Sequence, residues 1–165
     1  MPEDFNFCSV NNYFMIQRIQ SLYLLVAIVL QSLSLVLNWS TYLLEDSYYP
    51  LTGLSSSFEA INAMPLVFGI IVSIILLIVV TLRYKDRQRQ MQLANITLIQ
   101  LILVMGLFAW IHYNLIESIK LEYPEVEIGY GVAVVFPLVS MLLLWLAKKS
   151  IKKDDDLVRS ADRLR

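Results

Sequence analysis

The run Pro65-Leu66-Val67-Phe68-Gly69-Ile70-Ile71-Val72-Ser73-Ile74-Ile75-Leu76-Leu77-Ile78-Val79-Val80-Thr81-Leu82 carries no charge, and Arg83-Tyr84-Lys85-Asp86-Arg87-Gln88-Arg89 follows it at once. A helix rising about 1.5 Å per residue needs about 20 such residues to cross about 30 Å of hydrocarbon. Leu66, Val67, Phe68, Ile70, Ile71, Val72 and residues 74–80 each favour insertion by roughly 0.3–0.6 kcal/mol near the bilayer centre, so this segment needs no partner helix to enter. Pro65 suits the first helical turn, where a missing N–H removes no bond.

Three further runs lack Asp, Glu, Lys and Arg: residues 21–39, about 94–115 and about 129–147. The expected fold is therefore all-α, a transmembrane four-helix bundle. In the fourth run Pro137 should free the carbonyl near Ala133 and kink the helix, with Ser140 or a neighbouring helix satisfying that group. The first run is long for a secretory signal core and ends in Leu37-Asn38-Trp39-Ser40, without the small-residue pair that a signal peptidase requires.

Charge sets the direction of crossing, because Lys and Arg near span ends stay on the cytoplasmic side. The loop of residues 83–89 holds four basic residues, the tail after Ala147 holds seven, and Arg18 precedes the first span: twelve of the 13 in the chain. The loop between the first and second spans contains Glu45, Asp46 and Glu59 but no basic residue, and the loop between the third and fourth has Lys120 alone among four glutamates. Both termini and the middle loop should thus be cytoplasmic. Trp39, Tyr42, Trp110, Tyr113 and Tyr130 then fall near outer ends and Tyr23, Tyr84 and Trp145 near inner ends, as interfacial anchors.

Of 165 residues, 58% are hydrophobic, and the net charge of −1 conceals this segregation. Nucleic acid is excluded as a default partner, and the bilayer is the expected one. The single cysteine, Cys8, cannot form an intrachain disulfide.

Met15-Ile16-Gln17-Arg18-Ile19-Gln20, the Gln-rich entry to the third span, and the closing Asp156-Leu157-Val158-Arg159-Ser160-Ala161-Asp162-Arg163-Leu164-Arg165 together resemble a family of small four-span bacterial membrane proteins, domain of unknown function 4293. The resemblance covers about residues 15–165. It implies a bacterial inner-membrane location and supports the topology, but lends no activity and no binding residues. The resemblance implies a start at the equivalent of Met15, so residues 1–14 are expected to be a disordered extension arising from a misassigned start codon. Intact mass of the natively expressed protein tests this.

No catalytic constellation is legible. His112 is the only histidine and has no Cys or carboxylate at metal-ligand spacing on its helix face, Glu117 being five residues away. It reads as an interfacial residue. No serine has an evident base, and no glycine loop cradles phosphate. The sequence calls for no cofactor and no resident metal; Glu117, Glu122, Glu125 and Glu127 read as a solvated acidic loop rather than a cation site.

Amides and hydroxyls inside spans must find partners or lose several kcal/mol, so Gln31, Ser34 and Asn38, at spacings of three and four on the first span, and Thr97 and Gln100 on the third, are candidate interhelical contacts. Gly69 with Ser73, Gly106 with Ala109, and Gly129 with Ala133 offer close-packing faces. Turn residues and alternation in Tyr48-Tyr49-Pro50-Leu51-Thr52-Gly53 and Glu125-Val126-Glu127-Ile128 allow small hairpins in the outer loops.

In the tail, residues 148–165, Leu157, Ala161 and Leu164 share one helical face, Asp154 to Asp156 open the segment and arginines close it. A short amphipathic helix of this length is marginal alone and should dock. Leu157, Arg159, Ala161, Asp162, Arg163 and Leu164 are the candidate partner-binding residues. The expected function is a non-enzymatic accessory or scaffold subunit of an inner-membrane assembly; the alternative is a small transporter or channel using intramembrane amides. A membrane-embedded enzyme would need an inward-facing cluster of His112, Tyr113 and Glu117.

Overall fold

The computed structural model describes residues 7–44, 47–52, 64–84, 86–122 and 127–163, and within them the side chains of 20–43, 47, 49–52, 64–84, 86–121 and 127–153. Among these residues the chain forms four α-helices and a three-stranded sheet, in the order α1 (Phe7–Val36), β1 (Asn38–Leu44), β2 (Ser47–Thr52), α2 (Met64–Leu82), α3 (Arg87–Glu122), β3 (Glu127–Tyr130), a 3-10 turn (Val132–Val134) and α4 (Val135–Arg163).

Three helical segments are long and apolar enough to cross a membrane: Met64–Leu82, Arg87–Leu121 and Val132–Lys153. In α1 the apolar stretch among described side chains is Gln20–Val36. The outward faces of the helices carry Leu22, Leu25, Val29, Phe68, Ile71, Ile75, Ile99, Ile102, Leu103, Leu138 and Leu142, all exposed. So many large apolar side chains on the outside suit hydrocarbon and not water.

The interior is divided. One buried cluster, Trp39, Tyr42, Leu51, Leu66, Ile70, Val104, Phe108, Ile111, Leu115, Ile119 and Ala133, lies at the sheet end. The other, Leu24, Ala27, Leu77, Val80, Ala94, Leu101, Leu144 and Ala147, fills the opposite half. On α1 the buried positions Gln20, Leu24, Ala27, Gln31 and Ser34 recur every three or four residues, which is the spacing of one helical face.

Several expectations need correction. Helix α1 stops at Val36, not at residue 39, because the chain enters β1 at Asn38, which pairs with Thr52. Its start at Phe7 makes residues 7–14 helical rather than disordered, since extending a formed helix costs less than nucleating one. Helix α3 runs beyond 94–115 at both ends, with Lys120 in its last turn. Residues 129 and 130 belong to β3, and the fourth helical segment starts at Val132 in 3-10 geometry. Pro137 therefore stands in the first turn of α4, where the lost N–H would have had no intrahelical acceptor, and the reason to expect a kink disappears. Finally, the tail is no separate helix: α4 continues unbroken to Arg163. Leu157, Arg159, Ala161, Asp162 and Arg163 lie on its backbone, their side chains outside the described set, and Leu164 lies outside the described residues.

The segments between α1 and α2 and between α3 and α4 contribute to one sheet. Its order is β2-β1-β3, both neighbours antiparallel to β1. Pro50 is tolerated because β2 is an edge strand.

Candidate functional site

The features that carry chemistry gather where the sheet closes the bundle. A register shift between Asn38 and Ser40 breaks the alternation of β1, so Trp39 and Ser40 are both buried along with Tyr42. The Trp39 indole donates to the Ser34 carbonyl at 2.8 Å, which caps an orphan acceptor in the last turn of α1, and its ring packs against Phe108 at 5.0 Å. The Gly131 N–H donates to the Trp39 carbonyl at 2.9 Å. A side chain at Gly131 would place Cβ 1.8 Å from the Asn38 carbonyl oxygen, so only glycine permits the entrance of α4 to lie against the exit of α1.

Below β1, the Ser40 hydroxyl donates to the Tyr42 phenol oxygen at 3.1 Å, and that oxygen lies 2.6 Å from His112 Nδ1. The phenol oxygen accepts from Ser40 and shares one hydrogen with His112 Nδ1, supplied by the phenol or by the imidazole according to the ring tautomer. Among the described residues Nε2 has no hydrogen-bond partner. The imidazole stacks on Phe108 one turn earlier (5.4 Å) and meets Tyr130 of β3 at 5.2 Å. Burial pushes the Tyr42 phenol above the ordinary tyrosine value, Tyr130 adds to the rise, and the Ser40 hydrogen bond works against it.

His112 is thus not an interfacial residue but is 7% exposed, and Trp39 and Tyr42 are fully buried instead of anchoring at a membrane surface. Trp110, Tyr113 and Tyr130, expected as anchors at this end, are exposed. Tyr113 and Glu117 point outward, away from His112, so the cluster an enzyme would need does not form. A hydroxyl, a phenol and an imidazole in series form a buried hydrogen-bonded chain that joins β1 to α3. Nothing near His112 in the sequence signals its partner, which comes from a strand that was read as loop.

Of the intramembrane polar residues, Gln100 does reach another helix, donating to the Gly69 carbonyl at 3.4 Å. Gly69 makes room for this by meeting Val104 closely. Thr97 and Ser34 bond within their own helices, to Leu93 and to Gln31, because a hydroxyl one turn along a helix finds a carbonyl at little entropic cost. Gln31 is fully buried with neither amide atom partnered among the described residues, and Ser140 Oγ is equally unpartnered. Asn38 is exposed on β1 and leaves the proposed stripe.

At the opposite end Gln90 donates to the Val80 carbonyl (3.1 Å) and Lys148 to Asn95 (2.6 Å), while Arg89 pairs with Asp86 at 2.9 Å on the surface. Among the described residues no three His, Cys, Asp or Glu side chains converge as metal ligands, and Glu122 and Glu125 of the acidic loop lie outside the described side chains.

Comparison with curated proteins and with solved structures gave no match. A family model covers residues 16–164, nearly the whole chain, and the protein belongs to the family described as Domain of unknown function (DUF4293).

Proposed function

We propose that this is a four-span protein of the bacterial inner membrane with both termini cytoplasmic, acting as an accessory or scaffold subunit that holds a protein partner through its C-terminal arm. The carrying observation is the continuity of α4. Its uncharged run ends at Ala147 and the same helix runs on to Arg163. Residues 148–163, at about 1.5 Å each, make an arm about 24 Å long. A helix rooted in a bundle carries Leu157, Arg159, Ala161, Asp162 and Arg163 on its backbone, without the ordering entropy that a free segment of this length would lose on binding.

The fourth span is α1, whose apolar stretch Gln20–Val36 is extended by the helix back to Phe7. The segregation of Lys and Arg supports the direction, and the likeness to small four-span bacterial proteins supports the compartment. The transporter reading rests on Gln31 and Gln100. Gln100 is engaged on Gly69, and of the polar side chains buried in the half of the bundle away from the sheet, Gln90 and Thr97 are bonded to backbone carbonyls, which opposes a continuous polar path.

The test is purification from native membranes of the full chain and of a chain ending at Asp154, both tagged at the N-terminus. A protein retained by the first and lost from the second is expected. Identical co-purifying proteins would remove the arm from the reading.

A further inference from the structure

We propose that the stratum between the two apolar clusters is a bound-water site, with Gln31 on α1 and Ser140 on α4 as its ligands. Gln31 lies five residues from the end of α1 at Val36, Ser140 five from the start of α4 at Val135, and Gly69 five from the start of α2 at Met64. The bond from Gly131 to Trp39 ties the entrance of α4 to the exit of α1, so equal distances along these helices, about 7.5 Å, mean similar depth. Each helix thus brings a polar group to this level: the Gln31 amide, the Gly69 carbonyl, Gln100 and the Ser140 hydroxyl.

Two of these are answered, by the Gln100 to Gly69 bond and by Ser73, which also donates to the Gly69 carbonyl at 2.9 Å. The other two are not. Gln31 Nε2, Gln31 Oε1 and Ser140 Oγ are buried without a partner among the described residues, and the helices that carry them pack more extensively on each other than on any other element. A wholly unmet amide in an apolar interior costs about 2–7 kcal/mol, too much to leave unanswered in a marginally stable chain. A buried water makes about three hydrogen bonds, and these three atoms supply that number. No Asp, Glu, Lys or Arg occurs in any helix at this level, which selects a neutral ligand. The water joins α1 to α4 at one register, because sliding either helix by a residue removes a ligand.

The experiment is proton-detected solid-state NMR of the full chain, 15N-labelled at glutamine, in lipid bilayers. The Gln31 side-chain signals are assigned by their loss in Gln31→Leu. Cross-peaks from these amide protons to water, weakened in Ser140→Ala, are expected; amide protons that see only protein protons would overturn the site. Thermal unfolding gives a second reading. Gln31→Leu and Ser140→Ala should each lower Tm, and the double variant should lower it by less than the two together, since both changes remove one shared water. A rise in Tm for Gln31→Leu, with additive shifts, would mean a dry stratum and would also overturn it.

Discussion

Tyr42 and His112 stand 70 residues apart in the chain and 2.6 Å apart in space, phenol oxygen to imidazole Nδ1. The contact fastens β1 to α3 and is shielded by Phe108 and Tyr130. Tyr42→Phe removes the hydroxyl that partners Nδ1 while keeping the ring, so the loss is that of a buried polar atom left unmet, about 1–3 kcal/mol. His112→Phe should lose a similar amount. Denaturant titration in mixed micelles is expected to give a coupling energy for the pair of at least about 0.5 kcal/mol, and additivity would show that the two side chains are independent.

The same phenol gives the protein an alkaline limit. Burial raises the Tyr42 pKa above 10.0 in the folded state, so between that value and the native one the unfolded chain loses a proton that the folded chain keeps. Stability from this group is full below about pH 10 and falls as pH rises through the native value. Unfolding midpoints measured from pH 8 to 11 should decline above 10 in the parent chain and decline less steeply in Tyr42→Phe.

The helices were legible because hydrocarbon tolerates so few alternatives: an uncharged run such as residues 65–82 has one economical structure in a bilayer. The ends of the spans were not. Leu37-Asn38-Trp39 reads as a continuing apolar helix, and the strand that begins at Asn38 is held by β2, from Thr52 on, and by β3, some 88 residues away at Thr41 and Gly129. His112 was misread for the same reason, since its partner lies in that strand. Gln100 was legible as an interhelical donor because a mid-span amide has nowhere else to turn, whereas Ser34 and Thr97 had a local carbonyl within reach. The tail was read as separate because its composition changes at Lys148, but helical hydrogen bonding does not depend on composition and runs straight across the change.

Two glycines should respond in opposite ways to the same substitution. In Gly131→Ala the new carbon would meet backbone, the Asn38 oxygen at 1.8 Å and carbon at 2.4 Å, and neither can swing aside as a side chain could. The exit of α1 must then separate from the entrance of α4, and a cost above about 4 kcal/mol and little monodisperse protein on size exclusion are expected. Gly106 has nothing within 4 Å of its Cβ position and lies within α3. Gly106→Ala should keep the fold and raise its stability by up to about 1 kcal/mol through helix propensity, read as a higher Tm.

Orientation can be read with two exposed positions at opposite ends of the bundle, Glu127 in β3 and Gln88 in the first turn of α3. Neither removes a basic residue, so neither disturbs the charge pattern on which the expectation rests. In a Cys8→Ser background, Glu127→Cys should react with a membrane-impermeant maleimide in intact spheroplasts, and Gln88→Cys only after permeabilisation. The reverse pattern would place the sheet in the cytoplasm and the basic loop outside. Replacing Arg83, Lys85, Arg87 and Arg89 together by glutamine removes four of the basic residues on which the expected orientation rests, and should make some molecules label at Gln88→Cys without permeabilisation. The seven basic residues of the tail still pull the same way, so a partial change is the expected result, and its size measures how the loop and the tail divide the control of orientation.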